Sequence, residues 1–239
     1  SISVLLNADK VGIAKYKAVI SSNIKEKNTV NNTKNFAVEI IDQRSEIALV
    51  SVINHPDLGS LKRSIETNQQ RKVSILKPEE VKSLQNYNIL ILYQPTTSFK
   101  AIFEQNKVAQ INTFIITGTA TDFNFLNQVQ NDLLFKMSAQ KEDYLATFDS
   151  NFNLFSQANI GFENFPPLEH KFGTIAAKSN VNTLLSARIR NVQLQNPLLT
   201  FTENGSKRNA YLLGENIWKW RLENNLNKKS FEDFDLFTD

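Results

Sequence analysis

The chain has 239 residues, of which 41% are hydrophobic and 21% charged, so a disordered or fibrous protein is excluded and a sizeable core is expected. The net charge of +3 is too small to indicate a nucleic-acid or membrane-surface partner. The chain contains no cysteine, which excludes disulfides, thiolate metal sites and a cysteine nucleophile.

Residues 1–43 carry strand patterns only, at residues 1–6, 14–20 and 35–41. In the second and third segments, alternate residues are apolar or aromatic, which predicts a sheet with one buried face. Three strands are too few to close a sandwich, and the sequence does not begin with Met. We therefore expect this segment to be the end of a domain that begins further upstream in a longer protein.

From Glu46 onward the predicted strands alternate with helices, which is typical of an α/β sheet with crossover helices. Strands are predicted at residues 47–52, 72–76, 88–93 and 112–117. Helices are predicted to begin at Pro56, Pro78, Thr97 and Thr121, and the last of them is predicted to run to Met137.

The last hundred or so residues have weaker patterns. Phenylalanines spread over residues 148–172 predict a loop-rich cover packed on the sheet, and strands are predicted at residues 181–189, 198–202 and 209–213. Trp218 and Trp220 lie two residues apart on the last predicted helix and cannot share one buried face, so they are candidate interface residues. One is expected in the core and the other in an interface with a neighbouring domain; alternatively, Trp220 packs under Phe234 or Phe237.

Two stretches resemble known families. Residues 26–32 and the strand at 36–42 (Phe-Ala-Val-Glu-Ile-Ile-Asp) resemble the closing strands of a CARDB-like, immunoglobulin-type adhesion sandwich. This resemblance assigns residues 1–43 to the C-terminal strands of a β-sandwich. Residues 44–223 resemble the class I glutamine amidotransferase-like fold, in the order of the apolar segments 47–52, 89–95 and 114–120. For residues 44–239 this implies a doubly wound, mainly parallel, flavodoxin-like sheet.

The segment at residues 211–221 is similar to a bacterial branch of that superfamily, with many members from Bacteroidetes. In that branch the module accompanies von Willebrand A domains in large envelope proteins. The resemblance implies a periplasmic or cell-envelope location in a membrane-anchored protein. The implied partners are other domains of the same polypeptide or envelope proteins, without nucleic acid and without insertion of this part of the chain into the membrane.

The chemistry of the resembled family does not carry over to this chain. Amidotransferases of this class place a cysteine in a G-x-C-x-G turn, and alignment with residues 116–120 (Ile-Thr-Gly-Thr-Ala) puts Gly118 at that position. The later His-x-Glu is also absent, because the only downstream histidine is His170. The resemblance therefore implies a fold without its enzyme, a non-catalytic binding or scaffolding module that needs no cofactor.

Open α/β sheets bind ligands at the carboxyl ends of their strands. The candidate ligand crevice at this edge consists of Asn54, His55, Gln94, Thr117, Gly118 and Thr119. In the alternative interpretation, Asn54 and Asp57 only satisfy turn and cap hydrogen bonds, and His55 is an exposed loop residue. A metal site is not indicated, because the two histidines lie far apart and lack a ligand spacing.

Two other functional classes remain open. One is a hydrolase in which Thr119 or Thr117 is the nucleophile. Only His55 or His170 could serve as its base, and the version with His55 requires hydrogen-bond reach of about 3 Å between the ring and the hydroxyl. The other is a purely structural spacer domain, which predicts no pocket and an exposed apolar patch around Trp218 or Trp220.

Overall fold

The computed structural model describes residues 12–21, 32–40, 44–205 and 207–239. The chain divides into two compact units, Ser1–Arg44 and Ser45–Asp239. The predicted strand at residues 1–6 and the segment 26–31 of the sandwich-like stretch lie outside the described residues.

The described part of the first unit is an antiparallel pair, β1 (Gly12–Val19) and β2 (Thr33–Ile40). Tyr16 and Phe36 lie directly opposite each other and stack, with ring centroids 5.5 Å apart. Ile13, Phe36 and Val38 are nevertheless exposed. The strongly buried face predicted for these strands is therefore not found among the described residues, and a pair of strands does not enclose such a face by itself.

The second unit is built on a mixed nine-stranded sheet. Its strands are β3 (Ser45–Ser51), β4 (Arg71–Leu76), β5 (Ile89–Tyr93), β6 (Asn112–Thr117), β7 (Leu133–Phe148), β8 (Leu168–Ala177), β9 (Val181–Ile189), β10 (Val192–Asn204) and β11 (Lys207–Leu213). They are ordered β4-β3-β5-β6-β11-β10-β9-β7-β8. The α/β class predicted from the sequence agrees with this arrangement.

The prediction of a mainly parallel sheet is wrong. The pairs among β4, β3, β5, β6 and β11 are parallel, whereas the pairs from β11 through β10, β9 and β7 to β8 are antiparallel. The helix predicted from Thr121 to Met137 stops at Val129, and a strand begins at Leu133. Leu133 and Phe135 are buried, the residues next to them are more exposed, and the segment pairs with β8. This alternation of buried and exposed side chains is typical of a strand, not of the predicted helix.

Five helices pack on the sheet: α1 (Pro56–Ile65), α2 (Lys100–Ala109), α3 (Phe123–Val129), α4 (Trp218–Lys228) and α5 (Glu232–Thr238). The helix predicted at Pro78 is only a single 3₁₀ turn, Pro78–Glu80. The apolar residues form two cores, because neighbouring residues of β3 such as Ala48 and Leu49 point to opposite faces of the sheet. The first core contains residues of α1, α4 and α5, and the second contains residues of α2 and α3.

The strand β8 lies at one end of the strand order, yet it returns to the middle of the sheet. Glu169 on β8 and Glu215 after β11 exchange both backbone hydrogen bonds, at 3.1 and 2.9 Å. The approach is close enough that a Cβ on Gly214 would lie 2.5 Å from Leu168 Cβ, so only glycine fits there. Within the described part of the chain, no helix has both the length and the apolar character to cross a bilayer.

Candidate functional site

Four parallel strands end at one edge of the sheet and bring their following loops together. Because β3, β5, β6 and β11 run in the same direction, the residues after their last positions share this edge. The loops carry His55 and Asp57 after β3, Gln94 after β5, residues 118–121 after β6, and Glu215 after β11. We call this group of residues the strand-end site.

Glu215 is the carboxylate at the centre of the strand-end site, and its side chain is nearly buried. Its Oε1 accepts the Thr119 hydroxyl at 2.7 Å and the Thr119 backbone N–H at 3.4 Å, and its Oε2 accepts the Gln94 side-chain amide. A buried carboxylate is tolerated only when donors replace its lost water. These donors come from the loops after β5 and β6, so Glu215 fixes both loops relative to β11.

Gln94 fills the space above the turn at Gly118. A Cβ at Gly118 would lie 2.6 Å from Gln94 Cδ and 2.7 Å from its Nε2, closer than real Cβ contacts allow. The Gln94 Oε1 accepts the Ala120 backbone N–H at 2.7 Å, so the amide is held at both ends. The position that aligns with the family's cysteine thus has no room for a side chain while Gln94 keeps this position.

Asp57 is fully buried at the start of α1 and joins three segments of the chain. Its Oδ2 accepts the Tyr93 hydroxyl at 2.8 Å and the Asn216 backbone N–H at 2.8 Å, and its Oδ1 accepts the Trp218 backbone N–H at 2.9 Å. Burial raises the pKa of Tyr93 well above its usual 10, and the negative charge of Asp57 raises it further. Tyr93 is therefore a constant hydrogen-bond donor to this carboxylate.

His55 caps α1 and lies between the two buried carboxylates. In the neutral ring its Nδ1 accepts the Asp57 backbone N–H at 3.2 Å. When the ring is protonated, the same Nδ1 faces Asp57 Oδ2 at 3.3 Å as a donor, and Nε2 lies 3.9 Å from Glu215 Oε2. Burial alone would lower the pKa of His55, but the hydrogen bond and charge of Asp57, together with Glu215, raise it above 6.5. The ring is partly exposed, with 17% of its side chain accessible.

A second histidine contributes a buried hydroxyl–imidazole pair. His170 Nε2 lies 2.9 Å from the Thr117 hydroxyl, and His170 Nδ1 lies 2.9 Å from the Lys171 carbonyl oxygen. A carbonyl can only accept, so the proton resides on Nδ1 and the Thr117 hydroxyl donates to Nε2. Burial lowers the pKa of His170 to about 4, so the ring is neutral at pH 7. Both side chains are fully buried.

The structure brings most of the predicted crevice residues together. Gln94, Gly118 and Thr119 meet around Glu215, with His55 beside them. Thr117 faces His170, and Asn54 is exposed in the loop before α1. The hydrolase alternative with His55 as base requires a hydrogen bond from a threonine hydroxyl to His55. Among the described residues, Thr117 bonds to His170 and Thr119 bonds to Glu215 instead.

The two candidate interface residues differ in exposure. Trp220 is 0% exposed, packs against Phe162 and Phe165, and donates its indole N–H to the Pro166 carbonyl at 2.7 Å. Trp220 is thus the tryptophan of the pair that lies in the core, as expected for one of the two, and its side chain is not accessible to a partner. Trp218 remains partly exposed and keeps its place as a candidate.

Backbone strain is also found at this edge. Five described non-glycine residues have positive φ. Gln110 and Lys229 end helices, and Arg190 lies in the turn between β9 and β10, where such angles are common. Gln94 (φ 49°) and Asn216 (φ 81°) are the remaining two, and each lies just after the end of a site strand. Strained backbone angles away from helix ends and tight turns cluster at functional sites, which is why these two residues are of interest here.

An open cleft of about 1050 Å³ begins beside the strand-end site. One wall consists of residues 120–124, which continue from Thr119, and the other walls come from β7 and β8. Lys171 lies over the Phe123 ring at 5.5 Å and brings a positive charge to that wall. Polar and aromatic groups are thus available next to the buried part of the site.

Sequence reasoning missed Glu215, and it did not predict the buried contacts of Asp57. It names His170 as one of two possible bases for a threonine nucleophile, but the strand that carries His170 is not predicted, so nothing in the sequence places it beside Thr117. The signal for Glu215 was its position directly after the predicted last strand. A charged residue at the carboxyl end of a buried parallel strand is a candidate site residue by topology alone.

Together these features define an α/β module with a mixed sheet, whose strand-end site is assembled from hydrogen-bonded side chains of four loops. Among the described residues, no group of three or more metal-binding side chains is placed to hold an ion. No protein-family model matches the chain, and no curated protein matches it. The amidotransferase-like resemblance therefore stays a prediction made from the sequence.

Proposed function

We propose that this chain is a non-catalytic binding or scaffolding module of a larger bacterial envelope protein, with a doubly wound amidotransferase-like arrangement of its α/β sheet. The observation that carries the proposal is the position of Gln94. Its amide occupies the space at Gly118 where the resembled family presents a nucleophile, and both ends of the amide are hydrogen-bonded.

The Thr117 hydroxyl supports the same proposal. Thr117 does have an imidazole acceptor, but neither Thr117 nor His170 is accessible to a substrate. Nucleophilic catalysis needs an accessible nucleophile as well as a base.

Binding is favoured over a purely structural spacer by the groups that remain accessible at the edge. His55 and Asn54 reach solvent beside the buried network, and the open cleft next to Thr119 provides volume for a polar ligand or a peptide segment. The spacer alternative predicts no pocket, whereas an open cleft is present. It also predicts an exposed apolar patch around Trp218 or Trp220, but Trp220 is buried.

The binding part is tested by a thermal-shift and calorimetric screen of amino acids, sugars, nucleotides and short peptides. We expect a ligand whose effect is lost in Lys171→Ala, which removes a side chain from the cleft wall, and retained in Lys178→Ala, a matched change at an exposed lysine just after β8. If no compound shifts the unfolding temperature, or if both variants behave alike, the cleft beside the strand-end site is not a ligand site.

The non-catalytic part is tested separately with glutamine and with nitrophenyl esters. We expect no ammonia and no nitrophenol above the uncatalysed background. Turnover that is abolished in Thr117→Val or Thr119→Val would show that the protein is an enzyme and would overturn the proposal.

A further inference from the structure

A second cavity lies within the second unit, on the face of the sheet that packs against α1 and α5. Its volume is about 500 Å³, within the range of about 300–1,000 Å³ that small-molecule sites occupy. The floor is formed by the amino-terminal halves of the parallel strands, for example by Ile47, Ile89 and Ala210. It is therefore at the opposite end of the strands from the strand-end site.

The cavity lies between two walls on this face of the sheet. α1 and α5 lie over one side, and the opposite wall is the irregular segment 149–161. Phe155 in this segment packs edge-on against Phe201 of β10, with ring centroids 5.1 Å apart. Ala210 in the floor has too small a side chain to fill the space between these two walls.

The chemistry of the walls defines the class of ligand. The floor and sides are aliphatic and aromatic, and the two charged groups at the rim, Arg71 and Asp239, form an ion pair at 3.1 Å. A paired rim offers no net charge to attract an anion or a cation. Ser156 and Gln157 at the mouth have polar oxygens that can bind a hydroxyl or an amide.

From this geometry we infer that the cavity binds a small, uncharged, mainly apolar molecule with a hydrogen-bonding group at one end. The buried part of the wall, for example Leu61, Leu184 and Leu212, is entirely apolar, and burial of an apolar guest against it is favourable. The exposed Leu236, at 68%, lies at the mouth and extends the apolar surface outward. The inference is independent of the proposed function, since no residue of the strand-end site lines this cavity.

The test uses the neutral dye Nile red and the whole chain. The unmodified protein is expected to give a saturable rise in fluorescence with one dye per chain. Ala210→Phe should weaken binding at least tenfold, because the new ring fills the cavity. Val108→Phe is the matched control: Val108 is 88% exposed on α2, so the same ring is added outside the cavity and binding should be unchanged.

A third variant protects the test against misfolding of Ala210→Phe. Leu236→Glu alters an exposed rim position, and it should weaken Nile red severalfold by placing a charge at the mouth while thermal unfolding stays unchanged. The inference is wrong if the fluorescence does not saturate, or if Leu236→Glu and the control bind equally well. It is also wrong if sedimentation shows a dimer that Ala210→Phe abolishes, because the cavity would then hold a second copy of the chain.

Discussion

Asp57 holds three segments of the second unit together, so its replacement by alanine is the most direct test of how the strand-end site is stabilised. The variant removes one buried acceptor and leaves three donors without a partner: the Tyr93 hydroxyl and the backbone N–H groups of Asn216 and Trp218. It also removes the acidic residue in the first turn of α1.

The expected magnitude follows from these contacts. A hydrogen bond to a charged group contributes about 1.5–3 kcal/mol, and a stranded buried donor costs about 1–3 kcal/mol. Three such donors give a loss of about 4 kcal/mol or more, even if water reaches one of them. The free energy of unfolding of a typical domain is about 5–15 kcal/mol, so this loss is a large part of it.

The measurement is equilibrium unfolding in urea, followed by circular dichroism and by the fluorescence of the buried Trp220. Asp122→Ala is the matched control, because Asp122 is likewise an aspartate at the start of a helix, α3, but among the described residues its side chain accepts a single hydrogen bond, from the Phe125 N–H at 2.9 Å. Loss of a single cap should cost about 1 kcal/mol. If Asp57→Ala costs no more than Asp122→Ala, the buried network does not stabilise the fold and the reasoning is refuted.

The remaining predictions concern pH and packing. The pKa of His170 is lowered to about 4, so stability should rise by roughly 3 kcal/mol between pH 4 and 6.5, and His170→Gln should remove the rise in urea unfolding. The pKa of His55 is raised in the folded protein, so the protonated ring stabilises the fold fully below pH 6.5. This stabilisation is lost as the pH rises through the pKa of the folded state, and NMR titration of the ring should give a midpoint above 6.5. Gly118→Ala should cost about 1–3 kcal/mol by displacing Gln94, whereas Gly59→Ala in α1, where nothing lies within 4 Å, should be neutral or stabilising. Equal unfolding free energies for these two alanine variants would contradict the packing at Gly118.

The parallel half of the sheet was predictable because its strands are continuous apolar runs bounded by turn residues. Residues 47–52 and 88–93 correspond closely to β3 and β5, with boundaries shifted by one or two residues. The antiparallel half was predictable only in part: residues 181–189 coincide with β9 and residues 198–202 lie within β10, but β7 and β8 were not predicted as strands. Residues 133–137 contain Leu, Phe and Met, which suit a helix as well as a strand over so short a segment. Their strand conformation depends on pairing with β8, which is far away in the sequence.

The same limit applies to the strand-end site. Topology placed Gln94, Gly118 and His55 at one edge, and the structure has them there. The role of Glu215 was not predictable, because its donors come from positions 94 and 119, more than ninety residues earlier. Hydrogen bonds across such separations leave no periodic pattern in the sequence.

The backbone exchange between Glu169 and Glu215 changes how the outermost strand meets solvent. An end strand normally presents a row of unpaired amides on which another chain can build, and this is a common route to aggregation. In β8, the outward-facing backbone N–H and C=O groups of Glu169 are instead hydrogen-bonded to Glu215 in the loop after β11. The antiparallel half should therefore open together with the parallel half, and the amides of Glu169 and Glu215 should exchange their hydrogens with solvent as one cooperative unit.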